Sequence, residues 1–194
     1  VPEGSDGDAG EEADDGGLPP PRCTAGTSWS PGTAAFREAT AESGLEAIGA
    51  MGIRGSAVDF DGDGFADIAA RTPGAGGDDF GAGGTRLTWL LRNRGDGTFE
   101  DVTQASGIRQ MRTDPDPDHG RPGDVWAFGD VDNDGFLDVF TGLQRDAANP
   151  TDETSEILLG NGDGTFRLGP EPSDLRRPAT QGDAVAGASF LDFD

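Results

Sequence analysis

The sequence has few of the residues that build disulfides, zinc sites and histidine-based active sites. Its 194 residues include one cysteine, one histidine and no tyrosine. A single cysteine, Cys23, excludes a disulfide within the chain, and we expect an incidental thiol or one that pairs with a region outside this sequence. Zinc is disfavoured, because it usually takes several nitrogen and sulfur ligands. A Ser/His/Asp triad would depend on His119, but no nucleophile motif lies near it, so we expect a solvated loop histidine.

Basic residues and long apolar runs are also scarce. The 14 basic residues, all of them arginine, face 37 acidic residues, which gives a formal net charge of −23. This charge argues against nucleic acid as a partner, because phosphate binding requires basic residues, and against an anionic membrane surface. No apolar run is long enough to cross a bilayer, so we expect no membrane insertion. The 33 glycines and the short apolar runs predict short strands and many turns rather than helices.

Two stretches with aspartate at alternate positions stand out against this composition. One runs from Asp59 to Asp67 and the other from Asp130 to Asp138, and each has acids at its first, third, fifth and ninth positions and glycine at its sixth. Calcium takes about six to eight oxygen ligands in a flexible shell, and alternate residues of a tight loop direct their carboxylates to one point. The sequence therefore predicts two calcium-binding loops. Asp-Gly turns without a metal are the alternative, but matching positions in two copies favour calcium.

The predicted calcium ligands are aspartate carboxylates and, at the seventh position of each loop, the backbone carbonyl of a phenylalanine. They are Asp59, Asp61, Asp63, Phe65 and Asp67 in the first loop, and Asp130, Asp132, Asp134, Phe136 and Asp138 in the second. A third loop begins with Asp192 and Asp194. None is a full EF-hand, because the twelfth position, where an EF-hand has a bidentate glutamate, is Ala70 or Thr141 in the first two loops.

The segments around the loops repeat as well. Trp89 to Phe99 matches Ile157 to Phe166, and each contains an apolar strand, a Gly-Asp-Gly turn and a second strand, which is a hairpin signal. Phe36 to Leu45 matches Phe99 to Ile108, so we predict a strand between Phe36 and Ala50 in spite of its alanine and glutamate content. Each module then has about four short strands, with the calcium loop joining two of them. Residues 109–124 are an insertion relative to the first module and are predicted to be a loop.

The repeats define two regions of the chain. Residues 1–27, which are rich in acid, glycine and proline, cannot bury a core and are predicted to be a disordered spacer; a terminus without a role is an equal alternative. Residues 28–194 are predicted to be about two and a half modules, truncated at the third calcium loop.

The alternation of these two motifs resembles a known family. The loop from Asp59 to Asp67, with the hairpin from Asn93 to Phe99, resembles FG-GAP/VCBS repeats. The run from Phe99 to Ile108 is similar to the variant found beside ASPIC/UnbV domains, in proteins similar to cartilage acidic protein. The resemblance covers about residues 28–194 and implies a β-propeller of seven or so blades with calcium in the loops of several. Since two and a half modules do not close a propeller, we expect an incomplete one, completed by a longer chain or by other chains.

Members of that family are mostly secreted or surface proteins used for adhesion, scaffolding or polysaccharide contact. The resemblance therefore implies an extracellular, cell-surface or periplasmic protein with a protein or polysaccharide partner. We expect an all-β, calcium-binding propeller with a structural, adhesive or scaffold role and no catalysis. Two alternatives stay open: the propeller part of an extracellular enzyme whose catalytic residues lie outside this sequence, and a subunit of a calcium-dependent assembly.

Two further features have simple explanations. The tripeptide Arg94-Gly95-Asp96, known from integrin ligands, lies in the repeated turn, and we expect turn chemistry to explain it. The aromatic residues at matched or nearly matched module positions are expected to belong to the core rather than to a carbohydrate platform; they are Phe60, Phe65, Trp89, Trp126, Phe128 and Phe136.

Overall fold

The chain forms two antiparallel sheets of four strands each. The computed structural model describes residues 30–32, 34, 36–72, 77–123, 125–143, 152–176 and 187–191. The first sheet contains β1 (Arg54–Val58), β2 (Asp67–Arg71), β3 (Thr88–Asn93) and β4 (Phe99–Asp101), hydrogen-bonded in that order. The second contains β5 (Val125–Gly129), β6 (Asp138–Gly142), β7 (Glu156–Gly160) and β8 (Phe166–Leu168), also in that order. This architecture confirms the all-β prediction and is consistent with β-propeller blades, and we call the sheets the first and second blade.

The loops join the strands as the repeats predict. The first aspartate loop connects β1 to β2 and the second connects β5 to β6. The Gly-Asp-Gly turns connect β3 to β4 and β7 to β8. Because antiparallel neighbours reverse direction at each connection, the aspartate loop and the hairpin turn of one blade lie at the same end of its sheet. We call this the aspartate end.

The hydrophobic core lies between the blades. Ala69 and Leu90 of the first blade pack in one cluster with Val139 and Leu158 of the second, and all four are almost completely buried. Successive side chains of a strand point to opposite faces, so each blade contributes alternate residues to this layer. Three residues outside the strands' centres complete the buried cluster, namely Phe60, Ile108 and Phe166.

The aromatic residues divide into two groups. Phe60 belongs to the core, Trp126 and Phe128 pack against it, and Trp89 is buried elsewhere in the first blade, as expected. The expectation was wrong for Phe65 and Phe136, which are each 45% exposed. Both lie in aspartate loops, where the chain turns away from the sheet and leaves one side of the ring in solvent.

The two repeated segments that begin at Phe36 and Phe99 contain a serine at matching positions, Ser43 and Ser106, and each serine carbonyl accepts a hydrogen bond from an outer strand. Phe166, the first residue of β8, donates its N–H to the backbone carbonyl of Ser106 at 2.7 Å, which joins the second blade to the turn that follows β4. Phe99, the first residue of β4, donates in the same way to Ser43 at 3.1 Å. The similarity between the two motifs therefore reflects one packing arrangement used twice.

The prediction of a strand between Phe36 and Ala50 is wrong. Phe36 is 93% exposed, residues 40–44 form turns, and α1 (Leu45–Ile48) is a single helical turn. The repeat partner β4 is a strand because it pairs with β3. Among the described residues, no strand lies beside Phe36 to pair with it, and a short segment without a partner does not stay extended.

The alignment of the two hairpins also needs a shift of one residue. Leu91 pairs with Ile68 in the first blade as Leu158 pairs with Val139 in the second. Trp89 therefore corresponds to Glu156 and not to Ile157. The sequence match tolerated the shift because both strands contain a run of large apolar residues.

The remaining expectations concern the insertion and the ends of the sequence. Residues 109–123 form the predicted loop, in which His119 forms a β-bridge with Asp79 of the β2–β3 connection. The spacer at 1–27, Cys23, Asp192 and Asp194 lie outside the described residues. In the part of the chain that the structure describes, no helix has the length and apolarity needed to cross a membrane.

Candidate metal centre

The first aspartate of each loop organises the turn. The Asp59 carboxylate accepts the N–H groups of Asp63, at 3.1 Å, and Gly64, at 2.9 Å. In the second loop the Asp130 carboxylate accepts the corresponding N–H groups at 3.2 and 2.9 Å. Gly64 has a φ of +88° and Gly135 one of +89°, so the predicted need for glycine at the sixth position is confirmed.

The ninth aspartate of each loop connects its own strand to the aspartate loop and to the end of the next strand. Asp67 is fully buried at the start of β2. Its Oδ2 accepts the N–H of Phe60 at 3.1 Å, and its Oδ1 accepts the N–H of Asn93, at the end of β3, at 2.7 Å. Asp138 repeats this arrangement with Val131 at 2.9 Å and Gly160 at 2.8 Å. Sequence reasoning missed this second role, because Asn93 lies 26 residues from Asp67 and Gly160 lies 22 residues from Asp138 in the chain.

Three carboxylates converge in each loop. Oxygen atoms of Asp59, Asp61 and Asp67 all lie within 4.8 Å of one another. The second loop brings together Asp130, Asp132 and Asp138 in the same way. These are the first, third and ninth positions of the predicted ligand sets.

The fifth and seventh positions of the loops are placed differently. Asp63 and Asp134 lie outside the groups of three, and each accepts the N–H of the phenylalanine two residues later, at 2.8 and 2.9 Å. The rings of Phe65 and Phe136 lie against the hairpin turn of the same blade. A Cβ added at Gly95 would be 2.8 Å from the Phe65 ring, and one added at Gly162 would be 2.5 Å from the Phe136 ring. The phenylalanines thus fix each aspartate loop to a neighbouring glycine.

Burial and mutual repulsion raise the pKa values of the converging carboxylates. Burial raises the pKa of Asp67 to about 6; its two N–H donors oppose the shift, and the charges of Asp61 and Asp63 add to it. Burial and the charge of Asp63 also raise the pKa of Asp61. In the second loop burial raises the pKa of Asp138, and the charges of Asp132 and Asp134 contribute. Each loop therefore concentrates negative charge that a cation would stabilise.

The donor set fits a hard divalent cation. Every converging donor is a carboxylate oxygen, which suits calcium or magnesium and not the metals that prefer nitrogen or sulfur. Calcium accepts irregular shells of varied size, whereas magnesium demands near-octahedral geometry. Three carboxylates leave room for Asp63 or Asp134, a backbone carbonyl and water in such a shell.

A comparison with known families bears on the same region. Residues 51–85 match the family model of the FG-GAP repeat. The matched segment contains β1, the first aspartate loop and β2. It supports the FG-GAP part of the resemblance, and FG-GAP repeats are typical of propeller-type domains. No curated protein and no solved structure matches the chain.

Turn chemistry accounts for the tripeptide Arg94-Gly95-Asp96 in the hairpin turn of the first blade. Asp96 Oδ1 accepts the N–H of Thr98 at 2.8 Å and its hydroxyl at 2.6 Å. Asp163 and Thr165 form the same pair of bonds in the second hairpin. The Arg94 Nε lies 3.6 Å from a Glu100 carboxylate oxygen. The Arg94 and Asp96 side chains thus have partners within their own hairpin.

The opposite end of the blades contains buried ion pairs that the sequence did not predict. In the first blade Asp78 is buried between Arg71 and Arg109, at 3.5 and 3.7 Å, and it also accepts the N–H of Thr88 at 2.8 Å. Sequence reasoning missed these pairs, because charged residues in glycine- and proline-rich connections show no periodic pattern that would indicate burial.

The second blade has a similar buried cluster around two glutamates. Glu156 pairs with Arg112 and Arg176, at 2.6 Å in both cases. Glu153 accepts the N–H groups of Arg112 and Thr113, both at 2.9 Å. Together with Arg109 on Asp78, these contacts fix the insertion between the two blades.

His119 is the surface residue that the sequence predicted. It is exposed in the insertion, and its Nδ1 lies 2.7 Å from Asp114 Oδ2. The hydrogen bond to Asp114 raises the pKa of His119. A cleft of 410 Å³ opens beside this pair and is lined by Gln104, Met111 and Asp116 among others.

Proposed function

We propose that the chain is a calcium-binding part of an extracellular β-propeller with a structural, adhesive or scaffold role and no catalytic activity. Asp59, Asp61 and Asp67 would hold one calcium ion, and Asp130, Asp132 and Asp138 a second. Calcium would supply charge compensation for carboxylates that otherwise repel one another. The observation that carries the proposal is the repetition of one geometry, a buried ninth aspartate beside two converging carboxylates, in two blades.

Calcium binding would stabilise the blades through the aspartates themselves. Asp67 joins the β1–β2 loop to the end of β3 through two backbone N–H groups. An ion that keeps Asp67 ionised and fixed would hold these three segments together. Binding to the folded state alone raises its stability by mass action. We infer that calcium in these loops is structural.

The family resemblance supports the location and the partner class. The FG-GAP match, typical of extracellular and cell-surface proteins, supports a secreted or surface location. Extracellular modules often bind calcium with dissociation constants of about 10⁻⁴ to 10⁻³ M, and loops with a few carboxylates suit that range. The net charge of −23 favours a protein or polysaccharide partner over nucleic acid or a membrane. The ASPIC/UnbV-like variant rests on the Phe99 to Ile108 run alone.

Thermal unfolding with and without calcium tests this proposal. We expect the melting temperature to rise clearly in millimolar calcium relative to excess chelator, and to rise less in magnesium. A protein with Asp59→Asn and Asp130→Asn keeps the shape of both side chains and removes one charge per loop. The loop N–H groups that lose an acceptor are exposed, so water can replace it, and the calcium-dependent shift should largely disappear. If the well-folded wild-type protein has the same melting temperature in calcium and in chelator, both loops are turns that bind no calcium and the proposal is wrong.

A subunit of a calcium-dependent assembly is the second candidate. It is favoured by large apolar side chains that the segment before the first blade leaves in solvent: Phe36 is 93%, Met51 66% and Ile53 80% exposed. Exposed apolar groups of this kind favour contacts with other protein surfaces. Light scattering during the same calcium titration distinguishes the candidates, because assembly raises the molar mass with calcium and protein concentration, whereas a monomeric module keeps a constant mass.

A further inference from the structure

The two blades contact each other beside the first aspartate loop, which is the first of the two proposed calcium sites. Phe60, between the ligand candidates Asp59 and Asp61, is 5% exposed and lies with its ring centroid 6.2 Å from that of Phe166 in β8. The backbone N–H of the same Phe60 donates to Asp67 at 3.1 Å. One residue therefore contacts both the neighbouring blade and the buried ninth aspartate of the loop.

The hairpin turn of the second blade approaches the same loop closely. A Cβ added at Gly164, between β7 and β8, would lie 3.2 Å from Asp61 Cβ and 3.3 Å from Phe60 Cε2. Such distances are shorter than ordinary carbon–carbon contacts. Gly164 thus allows the turn to cover a ligand candidate of the first blade. The corresponding turn residue of the first blade, Gly97, has nothing within 4 Å of an added Cβ.

From these contacts we propose that the β7–β8 hairpin of the second blade positions the first calcium loop, so that calcium binding there and the packing of the two blades are coupled. Gly164 and Phe166 would act as positioning residues, through Asp61 and Phe60, and not as ligands. The inference rests on the proposed calcium binding. It adds that the calcium affinity of the loop from Asp59 to Asp67 depends on the second blade, although all the ligand candidates of this loop belong to the first blade.

Coupling between two events is reciprocal. Calcium in the first loop should therefore strengthen the contact between the blades as much as that contact strengthens calcium binding. The hydrogen bond from the Phe166 N–H to the Ser106 carbonyl, 2.7 Å long, bridges the blades and reports on their packing. The hydrogen exchange of the Phe166 N–H should slow when calcium occupies the first loop.

The first experiment compares Gly164→Ala with Gly97→Ala by calcium titration. Both are made in protein with Asp130→Asn, in which the second loop is disabled. The two glycines occupy the same turn position with φ values of +81° and +89°, so both substitutions introduce the same backbone strain. They differ in that the new Cβ of Gly164→Ala meets Asp61 and Phe60. We expect Gly164→Ala to weaken calcium binding by about fivefold or more, the lower range of typical coupling, and Gly97→Ala to leave it unchanged.

A second pair tests the ring contact without backbone strain. Phe166→Leu shortens the side chain that faces Phe60 and should weaken binding, whereas Phe99→Leu, at the equivalent position of β4, should not. Circular dichroism checks that each variant is folded. The reciprocal measurement is amide exchange at Phe166, which calcium should slow in the Asp130→Asn protein and slow much less in an Asp59→Asn protein.

The outcomes separate this inference from the proposed function. Equal affinities for Gly164→Ala, Phe166→Leu and their controls would overturn the coupling and leave calcium binding intact. Equal weakening by Gly164→Ala and Gly97→Ala would assign the effect to turn strain and also overturn it. If the Asp130→Asn protein binds no calcium at all, both the calcium assignment of the first loop and the coupling are wrong.

Discussion

The backbone N–H of Asn93 donates a 2.7 Å hydrogen bond to Asp67 Oδ1, across 26 residues of sequence. The second blade repeats this bond between Gly160 and Asp138 at 2.8 Å. The ninth aspartate of each loop is thus a structural residue as well as a ligand candidate. Its carboxylate ties the aspartate loop to the hairpin of the same blade, and the two roles can be separated by measurements with and without calcium.

Asp67→Asn should destabilise the calcium-free protein at a pH of about 4, where the buried Asp67 side chain is protonated and carries no charge. Both carboxylate oxygens of Asp67 accept backbone N–H groups, and an asparagine amide offers one acceptor and places its N–H₂ group against a donor. Leaving a buried donor unsatisfied costs about 1–3 kcal/mol. Urea unfolding in calcium-free buffer at a pH of about 4 measures this, because at higher pH the cost of the buried Asp67 charge offsets the loss. Asp63→Asn is the control, because Asp63 is exposed and one acceptor suffices for its bond to the Phe65 N–H. Equal stabilities for the two variants would show that Asp67 has no such role.

The contribution of Asp67 to the stability of the calcium-free protein should fall as the pH rises from about 4 to about 6. Burial raises the pKa of Asp67 from its ordinary 3.8 to about 6 in the folded state. Since Asp67 then binds more protons in the folded protein than in the unfolded chain across this window, its contribution to the free energy of unfolding decreases with rising pH and levels off above it. A shift of this size corresponds to at most about 3 kcal/mol.

The difference between wild type and Asp67→Asn isolates this contribution, because other carboxylates act in the opposite direction. The pKa of Asp101, for example, is lowered mainly by its hydrogen bond from Arg86, against the effect of burial. We expect the difference in unfolding free energy to change across the window without calcium. It should change much less, or with opposite sign, in calcium, which favours the ionised carboxylate. A difference that does not vary with pH would contradict the raised pKa.

Phe65→Ala should weaken both the fold and calcium binding. The Phe65 ring lies against Gly95 and fixes the aspartate loop to the hairpin, but it is 45% exposed. We therefore expect a loss of about 1–2 kcal/mol, below the 3–5 kcal/mol of a fully buried phenylalanine. Phe136→Ala should behave alike in the second blade. Chemical denaturation and calcium titration of both variants check this, and a calcium affinity unchanged in both would show that the rings do not position the loops.

Asp78→Asn should be among the most damaging single changes outside the aspartate loops. The Asp78 carboxylate is buried beside the guanidinium groups of Arg71 and Arg109. Removing one partner of a buried ion pair costs about 3–5 kcal/mol. The control is Glu100→Gln, which removes a more exposed partner of Arg92 and should cost at most about 1 kcal/mol. If both variants unfold at the same denaturant concentration, the buried cluster does not stabilise the fold as described.

Local patterns predicted the strands, hairpins and loops well. The spacing of Asp59 to Asp67 and the Gly-Asp-Gly turns are determined by neighbouring residues, so a sequence reveals them directly. The prediction of a strand at Phe36 was wrong, because a strand needs a neighbouring strand to pair with, and no local pattern shows whether one is present. The Asn93 to Asp67 bond, the Phe60 to Phe166 contact and the ion pairs of Asp78 were missed for the same reason, since each joins residues that only folding brings together.

Calcium stoichiometry tests the central claim most directly. Isothermal titration of wild type, Asp59→Asn, Asp130→Asn and the double variant counts the sites while the protein stays folded. Two calcium ions per chain in wild type, one in each single variant and none in the double variant would establish both loops as separate sites. No calcium bound by folded wild-type protein at millimolar concentration, or equal binding by the double variant, would contradict the claim.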